Sequence, residues 1–541
     1  MSTAAKQDKT NWTPMLFISL GVALIIMDAT IVNVILPSII SDLGINSIDA
    51  EWINAVYSLT FAAFLIVAGR LGDRFGRRRV FVIGAIVFGL SSIAAALSTS
   101  GTLLIAARAL QGLGGAIMSP TSLSLVNDLY RGKTRAIAFA IYGSVIGGMA
   151  AVGPVLGGWL TEQFSWHWSF WINVPFAALI VFGVSRFVPE SKAVGDVGKA
   201  DYWGALLSSL GIASLIFALI EGRNYGWLVT KEDRSLFGIS FPENTYSPVA
   251  FAFLISIVSL VLLYVLETRL SRKGQSPLID FGLFRLKTFG LGSFAGLIIS
   301  LGEFGLLFTL PLFLQSVLGW SAVGAGGLLA TLALGSFISA PIAGQLANKK
   351  SPRFVLQLGL VLEIVGIIGL STMLSPSQSG WSIGLWLVIY GMGVGFATAQ
   401  LTGLILSDVP VEKSGQASGT QSTARQIGSA MGTAILGTIV FVTLRFNTEQ
   451  NLASLGVPES VGNPIAEAVE QSAGTIIPAI PAQGGTVEMM QAAQQAFADA
   501  LQTTGWFAAG FVALGLLASL ALPLGDSHSR ASESELIHDF E

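Results

Sequence analysis

Five ionisable residues interrupt long apolar runs in this sequence: Asp28, Arg108, Glu303, Glu363 and Arg425. Charge at membrane depth is costly, and where it is kept it marks an ion or proton path by default. A carboxyl group there can bind a proton at one time and a cation at another. An arginine beside it supplies a fixed charge that tunes the exchange. Glu303 has no basic residue near it in sequence, which suits that role; a permanently protonated structural glutamate is the alternative. Asp28 and Arg108 are expected at one depth, as a pair that is either functional or purely structural. At about 1.5 Å per residue, Asp28 lies roughly 21 Å from the start of its run and Arg108 roughly 9 Å from the start of its own, from opposite faces of a core of about 30 Å. Function and structure are equally open for Glu363, and Arg425 is placed to pair with Glu363 or Glu303.

A second set of charges is crowded instead of isolated. "GRLGDRFGRRRV", residues 69–80, holds Asp73 and five arginines, Arg74 and Arg77 among them, in a chain only 11% charged. Gly69, Gly72 and Gly76 punctuate it and permit close backbone approach at a tight turn.

These residues must be carried by membrane helices. Hydrophobic residues make up 52% of 541 positions, and mean hydropathy is +0.70. Apolar runs of about 20 residues, each long enough to cross the bilayer, are expected at 14–40, 50–70, 79–98, 102–126, 134–161, 166–188, 201–221, 247–267, 288–318, 321–347, 353–374, 381–406, 413–444 and 503–523. The first follows a short polar start with no small-residue cleavage pattern, and reads as a retained helix. The chain has no cysteine and three histidines, His167, His528 and His538, which argues against disulfides, thiol nucleophiles and a histidine metal site. No G-x-x-x-x-G-K-[ST] loop occurs and no basic face is evident, so neither nucleotide nor nucleic acid is expected as a partner.

Most of the 29 lysines and arginines fall on one side if both termini are cytoplasmic. Residues 69–80 are then a cytoplasmic turn between spans 2 and 3. Two outer loops are long: 222–246, and 446–502, which has no lysine or arginine and reads as an external hairpin or a gate. Within the latter, "TVEMMQAAQQAFADALQ" has helical propensity and is expected to run on into the last span.

The chain also repeats. "GRLGDRFGRRRVFV" is echoed by "GQLANKKSPRFVLQ", starting 275 residues later at Gly344, and the same offset carries Asp28 onto Glu303. "QGLGGA" at 111 is echoed by "YGMGVG" at 390. Two parallel six-helix units are therefore expected, at 14–190 and 276–525, with an inserted helix pair in 191–275 and cytoplasmic tails at 1–13 and 526–541. Transporters built from repeats place their sites between the halves and rock one half against the other.

The motifs resemble those of the major facilitator superfamily. "GRLGDRFGRRR" is similar to its motif A, "RALQGLGGA" (Arg108–Ala116) to motif B, and "GSVIGGMAAVGPVLGG" (Gly143–Gly158) to motif C. "MDATIVNVILP" (Met27–Pro37) and "ARQIGSAMGTAI" resemble the fourteen-helix drug:proton antiporters of the EmrB/QacA type. The resemblance implies an all-α major facilitator fold of fourteen helices and no enzyme activity. It makes Gly69, Asp73, Arg74, Gly76 and Arg77 a cytoplasmic gate, and gives Gly143, Gly147, Gly153, Pro154 and Gly157 the antiporter motif that goes with export. It gives Arg108 a part in proton transfer. The second-half echo has Asn348 where the gate has Asp73, so the gate should be lopsided.

The expectation is a monomeric antiporter of the bacterial inner membrane, in contact with lipid and exporting small amphipathic or cationic compounds. It needs no cofactor, only a proton gradient. Protonation of Asp28 or Glu303 would compete with substrate in one central cavity, lined by Tyr57, Phe304, Phe308, Gln315, Tyr390 and Gln400. An exporter of one endogenous lipid, siderophore or secondary metabolite, and a non-transporting receptor or scaffold, are the alternatives.

Overall fold

Hydroxyl and carboxylate side chains set where many of the helices begin. Ser100, Asp201, Ser247, Ser321, Ser351 and Ser379 each accept a backbone N–H from the first turn of the helix that follows. Those donors have no intrahelical acceptor and would otherwise be stranded. The computed structural model describes residues 11–45, 47–192, 201–236, 239–275, 277–410, 413–472 and 474–523. The expected C-terminal tail and most of the N-terminal one lie outside the described residues.

In chain order the helices are α1 (Thr13–Leu43), α2 (Ser47–Phe75), α3 (Arg77–Ala96), α4 (Gly101–Leu129), α5 (Gly132–Gln163), α6 (Trp168–Trp171), α7 (Asn173–Phe187), α8 (Tyr202–Tyr225), α9 (Pro248–Arg272), α10 (Lys287–Ser316), α11 (Ala322–Lys349), α12 (Pro352–Met373), α13 (Gly380–Ile405), α14 (Ser414–Ser454), α15 (Glu459–Gln471) and α16 (Val487–Ser519). Among the described residues thirteen stretches are long and apolar enough to cross a membrane, α6 and α7 counting as one. The 30-residue α10, packed against α14 and α16, completes the fourteen. Between α8 and α9 lies a short antiparallel ribbon, β1 (Arg234–Leu236) with β2 (Ile239–Phe241), flanked by a bridge between Val229 and Tyr246.

The repeat is built into the packing. Ser47 and Arg77 open α2 and α3, and Ala322 and Pro352, each 275 residues on, open α11 and α12. In the first bundle α2 packs on α4, α3 on α4 and α1 on α5; in the second, α11 packs on α13, α12 on α13 and α10 on α14. The halves meet through a crossed pair, α5 against α11 and α2 against α14. The inserted α8 and α9 pack on each other and lean on α2 through α8.

Much of the stretch 446–502 is helical. α14 continues to Ser454, α15 and two short 3-10 turns follow, and α16 starts at Val487, so that "TVEMMQAAQQAFADALQ" is helical and runs on into the last span as expected. The reason is amphipathic: Ala493, Ala496 and Phe497 are buried, and the Phe497 ring stacks on Phe313 of α10 with centroids 6.0 Å apart. Arg445 ties α15 down through Glu470 (3.5 Å).

Equivalent glycines allow equivalent crossings. A Cβ on Gly112 of α4 would strike the Tyr57 carbonyl of α2, and one on Gly391 of α13 would strike the Leu332 carbonyl of α11. Small residues at such points let membrane helices approach closely. Gly112→Val and Gly391→Val are each expected to destabilise the protein by about 1–3 kcal/mol, the usual range for overpacking. The check is the thermal unfolding midpoint in detergent, with Gly437→Val, where a Cβ meets nothing within 4 Å, as the neutral control.

Candidate functional site

Asp28, midway along α1, is fully buried and faces into the first bundle. Arg108 Nη1 donates to its Oδ2 (2.5 Å), and Asn173 Nδ2 (2.6 Å) and Gln111 Nε2 (3.2 Å) donate to its Oδ1. Gln111 also donates to Ser92 Oγ (2.8 Å) and accepts from Arg108 (2.9 Å). The Arg108 guanidinium lies 4.3 Å from the Tyr57 ring centroid, a cation–π contact strengthened by the absence of water. Both Asp28 oxygens are thus occupied. Gln111, Ser92 and Asn173 were missed in the sequence; Gln111 stands one turn beyond Arg108 and so shares its face, whereas Asn173 comes from the distant α7.

The second bundle answers with a sparser cluster. Arg425 of α14 reaches Glu303 Oε2 of α10 only at 3.8 Å and donates to Ser300 Oγ (3.3 Å). Glu303 Oε1 has no hydrogen-bond partner among the described residues, and neither has either oxygen of Glu363 on α12, although both side chains are buried. Glu363 lies in the field of both Glu303 and Arg425. Arg425 also acts on Tyr142 of α5, which puts it beside the seam between the halves.

The two clusters are separate networks. Among the described residues no hydrogen bond or ion pair joins the two clusters; each is made inside its own bundle, Asp28 meeting Arg108 of α4 and Glu303 meeting Arg425 of α14. Of the expected lining residues, Tyr57 donates to the Ile25 carbonyl (3.3 Å) and Tyr390 to that of Glu303 (3.2 Å), so both are committed within their bundles. Gln315 bonds back to Pro311 (3.4 Å). Gln400 is buried, and its Nε2 has no hydrogen-bond partner among the described residues. The side chains of Phe304, Phe308 and Asn348 lie outside the described residues.

The third site closes the basic end. α14 begins after Lys413 with no side-chain cap of its own. Asp73 of α2 supplies one from the other half: its Oδ1 accepts from Gly415 N (3.2 Å) and its Oδ2 from Gln416 N (3.1 Å). A carboxylate at a helix N-terminus also meets the positive end of the dipole. A Cβ on Gly69 would strike the Gly415 carbonyl, and one on Gly415 would strike both Asp73 and Gly69. Arg77, fully buried, donates to Asp73 (2.9 Å) and approaches Asp128 (3.5 Å). Arg74 is not part of this contact; it makes no ion pair among the described residues and stands over the Phe75 ring. Gly76 takes φ +108°, a conformation that favours glycine. Asp128 and Glu190, which meets Arg78 and Arg79, were missed because they lie on distant helix ends. Further across this end, Asn127 bonds Ser414 (3.1 Å), Ser124 bonds Ser418 (3.4 Å) and Arg135 bonds the Gly403 carbonyl (3.3 Å).

The glycines of α5 face two ways. A Cβ on Gly153 or Gly157 would meet Thr30 or Ile31 of α1, and one on Gly147 or Gly148 would meet Ser336 or Phe337 of α11. Gly326 of α11 comes up against Pro154, and Gly143 is buried in the same helix. α5 is therefore wedged between the turn that carries Asp28 and the opposite half.

A sequence model of the Major Facilitator Superfamily matches residues 18–433. The chain is 31% identical to multidrug resistance protein 3 of Bacillus subtilis over 473 residues, 86% of each chain. It is 30% identical to the tetracenomycin C resistance and export protein of Streptomyces glaucescens over 86% of this chain and 83% of that one, and 30% identical to the multidrug resistance protein Stp of Mycobacterium tuberculosis over 84% and 80%. In fold it is similar to the human organic anion transporter MFSD10 (TM-score 0.55, 14% identity, 92% and 99% covered). It is also similar to a bacterial homologue of the lysosomal transporter Spinster (TM-score 0.53, 20% identity, 94% and 96% covered).

The two charge clusters should differ in what they contribute to stability. Removing one partner of a buried, hydrogen-bonded ion pair typically costs about 3–5 kcal/mol, so Arg108→Leu is expected to destabilise the chain by about that much. Arg425→Leu, from a longer and partly exposed pair, should cost clearly less. Chemical unfolding of the two variants in detergent measures the difference, and equal losses would contradict it.

Proposed function

This chain belongs to the major facilitator superfamily, a family of membrane transporters, and on that premise we propose that it is a proton-coupled exporter of amphipathic, mostly cationic compounds. Its relatives supply the coarse part: several are multidrug or antibiotic resistance proteins of bacteria. The observation that carries the finer part is the pair of acids in the second bundle. Glu303 and Glu363 bury three carboxyl oxygens without a donor among the described residues at membrane depth. An unpaired charge there is too costly to persist, so these oxygens call for a proton or a cation, and a group that accepts either in turn couples one flux to the other.

The roles follow from the geometry. Glu303 and Glu363 are the proton carriers, and Arg425 at the seam favours release of a proton when it swings closer than its present 3.8 Å. Asp28 and Arg108, saturated by their neighbours, form a fixed brace whose position the wedge of α5 transmits to the opposite half. Asp73 is the latch on the basic end, which the positive-inside rule makes cytoplasmic in a bacterial inner membrane. A helix cap is worth about 1 kcal/mol. That is weak enough to break in every cycle, and the latch is lopsided in resting on a single carboxylate. Substrate would leave outward while this end is closed.

A second reading has support of its own. The tetracenomycin C protein and a probable actinorhodin transporter are each named for one metabolite, so export of a single secondary metabolite on the same scaffold is the rival.

Transport in proteoliposomes with an imposed pH gradient decides among these. Accumulation of a lipophilic cation is expected to depend on the gradient and to be lost in Glu303→Gln and Glu363→Gln while the protein remains folded. Gradient-driven transport that survives both substitutions would refute the assignment of the carriers. Flux of several unrelated cations favours the multidrug reading, and flux of one compound favours the rival.

A further inference from the structure

The inserted pair α8–α9 has no part in the reading above, yet its basic end carries two acids that face each other. Asp201 caps α8, its Oδ1 accepting from Gly204 N (2.7 Å), and its Oδ2 is buried without a hydrogen-bond partner among the described residues. Glu267 of α9, 1% exposed, accepts from Leu278 N at Oε2 (2.8 Å). Its Oε1 is likewise buried and unpartnered. Both orphan oxygens stand over Gly204, where an added Cβ would touch the two together. Carboxylate oxygens only accept, so such a pair forms a hydrogen bond only when one of the two carries a proton. In a buried site the unmade bond is expensive.

What the pair holds leads directly to the latch. Leu278 follows Pro277, whose carbonyl accepts from Gln416 Nε2 (2.6 Å), and Asp280 takes Lys413 Nζ (2.5 Å). Gln416 and Lys413 stand at the start of α14, where Asp73 binds the backbone. Arg70 of α2 feels Asp73 and Arg74 on one side and Glu267 and Asp201 on the other. Arg70 from α2 is thus the basic group whose charge reaches both acids, with Asp73 and Arg74 on its own helix, and the Asp280–Lys413 pair joins the 277–286 segment to α14. Apolar packing of Ile66, Ile212, Leu263, Leu278 and Ile279 makes the assembly one unit.

We propose that Asp201 and Glu267 form a proton-binding site that shares one proton and, through residues 277–280, sets how firmly the start of α14 is held. With the proton in place the carboxyls are bonded, Glu267 keeps Leu278, and the latch stays closed. When the proton leaves, two negative charges oppose each other across Gly204 and Glu267 is pushed from Leu278. Gln416 and Lys413 then lose their anchors. Raising the pH on the basic side therefore loosens the latch. The site lies outside the Glu303–Glu363 pair and does not depend on the direction or substrate of transport.

The chain has no cysteine, so a Ser124→Cys, Ser418→Cys pair reports closure by disulfide formation in the full-length protein in nanodiscs; the two hydroxyls lie 3.4 Å apart across this end. Thiol ionisation itself follows pH, so each variant is compared with the parent pair at the same pH. The parent should lose crosslinking as pH rises, whereas Glu267→Gln, whose amide is a permanent donor, should keep its low-pH level throughout. Asp201→Asn, which retains an oxygen to cap α8, should do the same and serves if Glu267→Gln does not fold. Parallel loss of crosslinking in the parent and either variant overturns the proposal. So does crosslinking that answers to sodium at fixed pH and not to pH. Neither readout requires transport, so failure here is distinct from failure of the export reading.

Discussion

The start of α14 cannot satisfy its own backbone. No side chain of its own caps it, and the N–H groups of Gly415 and Gln416 find their acceptor in Asp73, a residue of the opposite half. A helix terminus buried without such a partner would be costly, so the two bundles are bound to meet where α2 ends. Much of the basic end is arranged around this need. Gly69 and Gly415 clear the approach, Arg77 holds the carboxylate in place, and Asp128 and Ser191 hold Arg77. The contact itself is small: one carboxylate and two backbone donors.

The duplicated bundles have used equivalent positions to different ends. Asp28 and Glu303 stand 275 residues apart in matching helices, and Gln111 and Tyr390 face them from α4 and α13. In the first bundle Gln111 reaches the carboxyl and, with Arg108 and Asn173, saturates it. In the second, Tyr390 bonds the Glu303 backbone instead and leaves the carboxyl to a distant arginine. One half therefore carries a fixed ion pair, the other acids with capacity to spare. The glycines of α5, touching α1 on one side and α11 on the other, give a steric route between them.

Much of this was legible in the residues. Apolar length placed the helices, since a chain in lipid must satisfy its backbone within helices. The repeat offset of 275 recurs in the starts of α2 and α11 and of α3 and α12. In the stretch 446–502 the start of α16 was legible from its helical propensity, whereas α15 was not, because it packs one face against α14 and looks like polar linker when read alone. Arg74 shows the same limit: it shares composition and neighbourhood with Arg77 and differs only in the side of the helix end on which it falls.

The sequence by itself determined which residues are charged at membrane depth, how many helices carry them, and that the whole was doubled. Those are properties of composition, period and offset, which are local or repeat along the chain. Only the tertiary structure decided which acids are saturated and which are left wanting. Gln111, Ser92 and Asn173 converge on Asp28 from three different helices, and Asp201 meets Glu267 across the gap between α8 and α9. Hydrogen bonds act over about 3 Å, whereas residues that share one lie up to 145 positions apart in the first bundle; helix rotation and crossing, which no local pattern encodes, settle the partner.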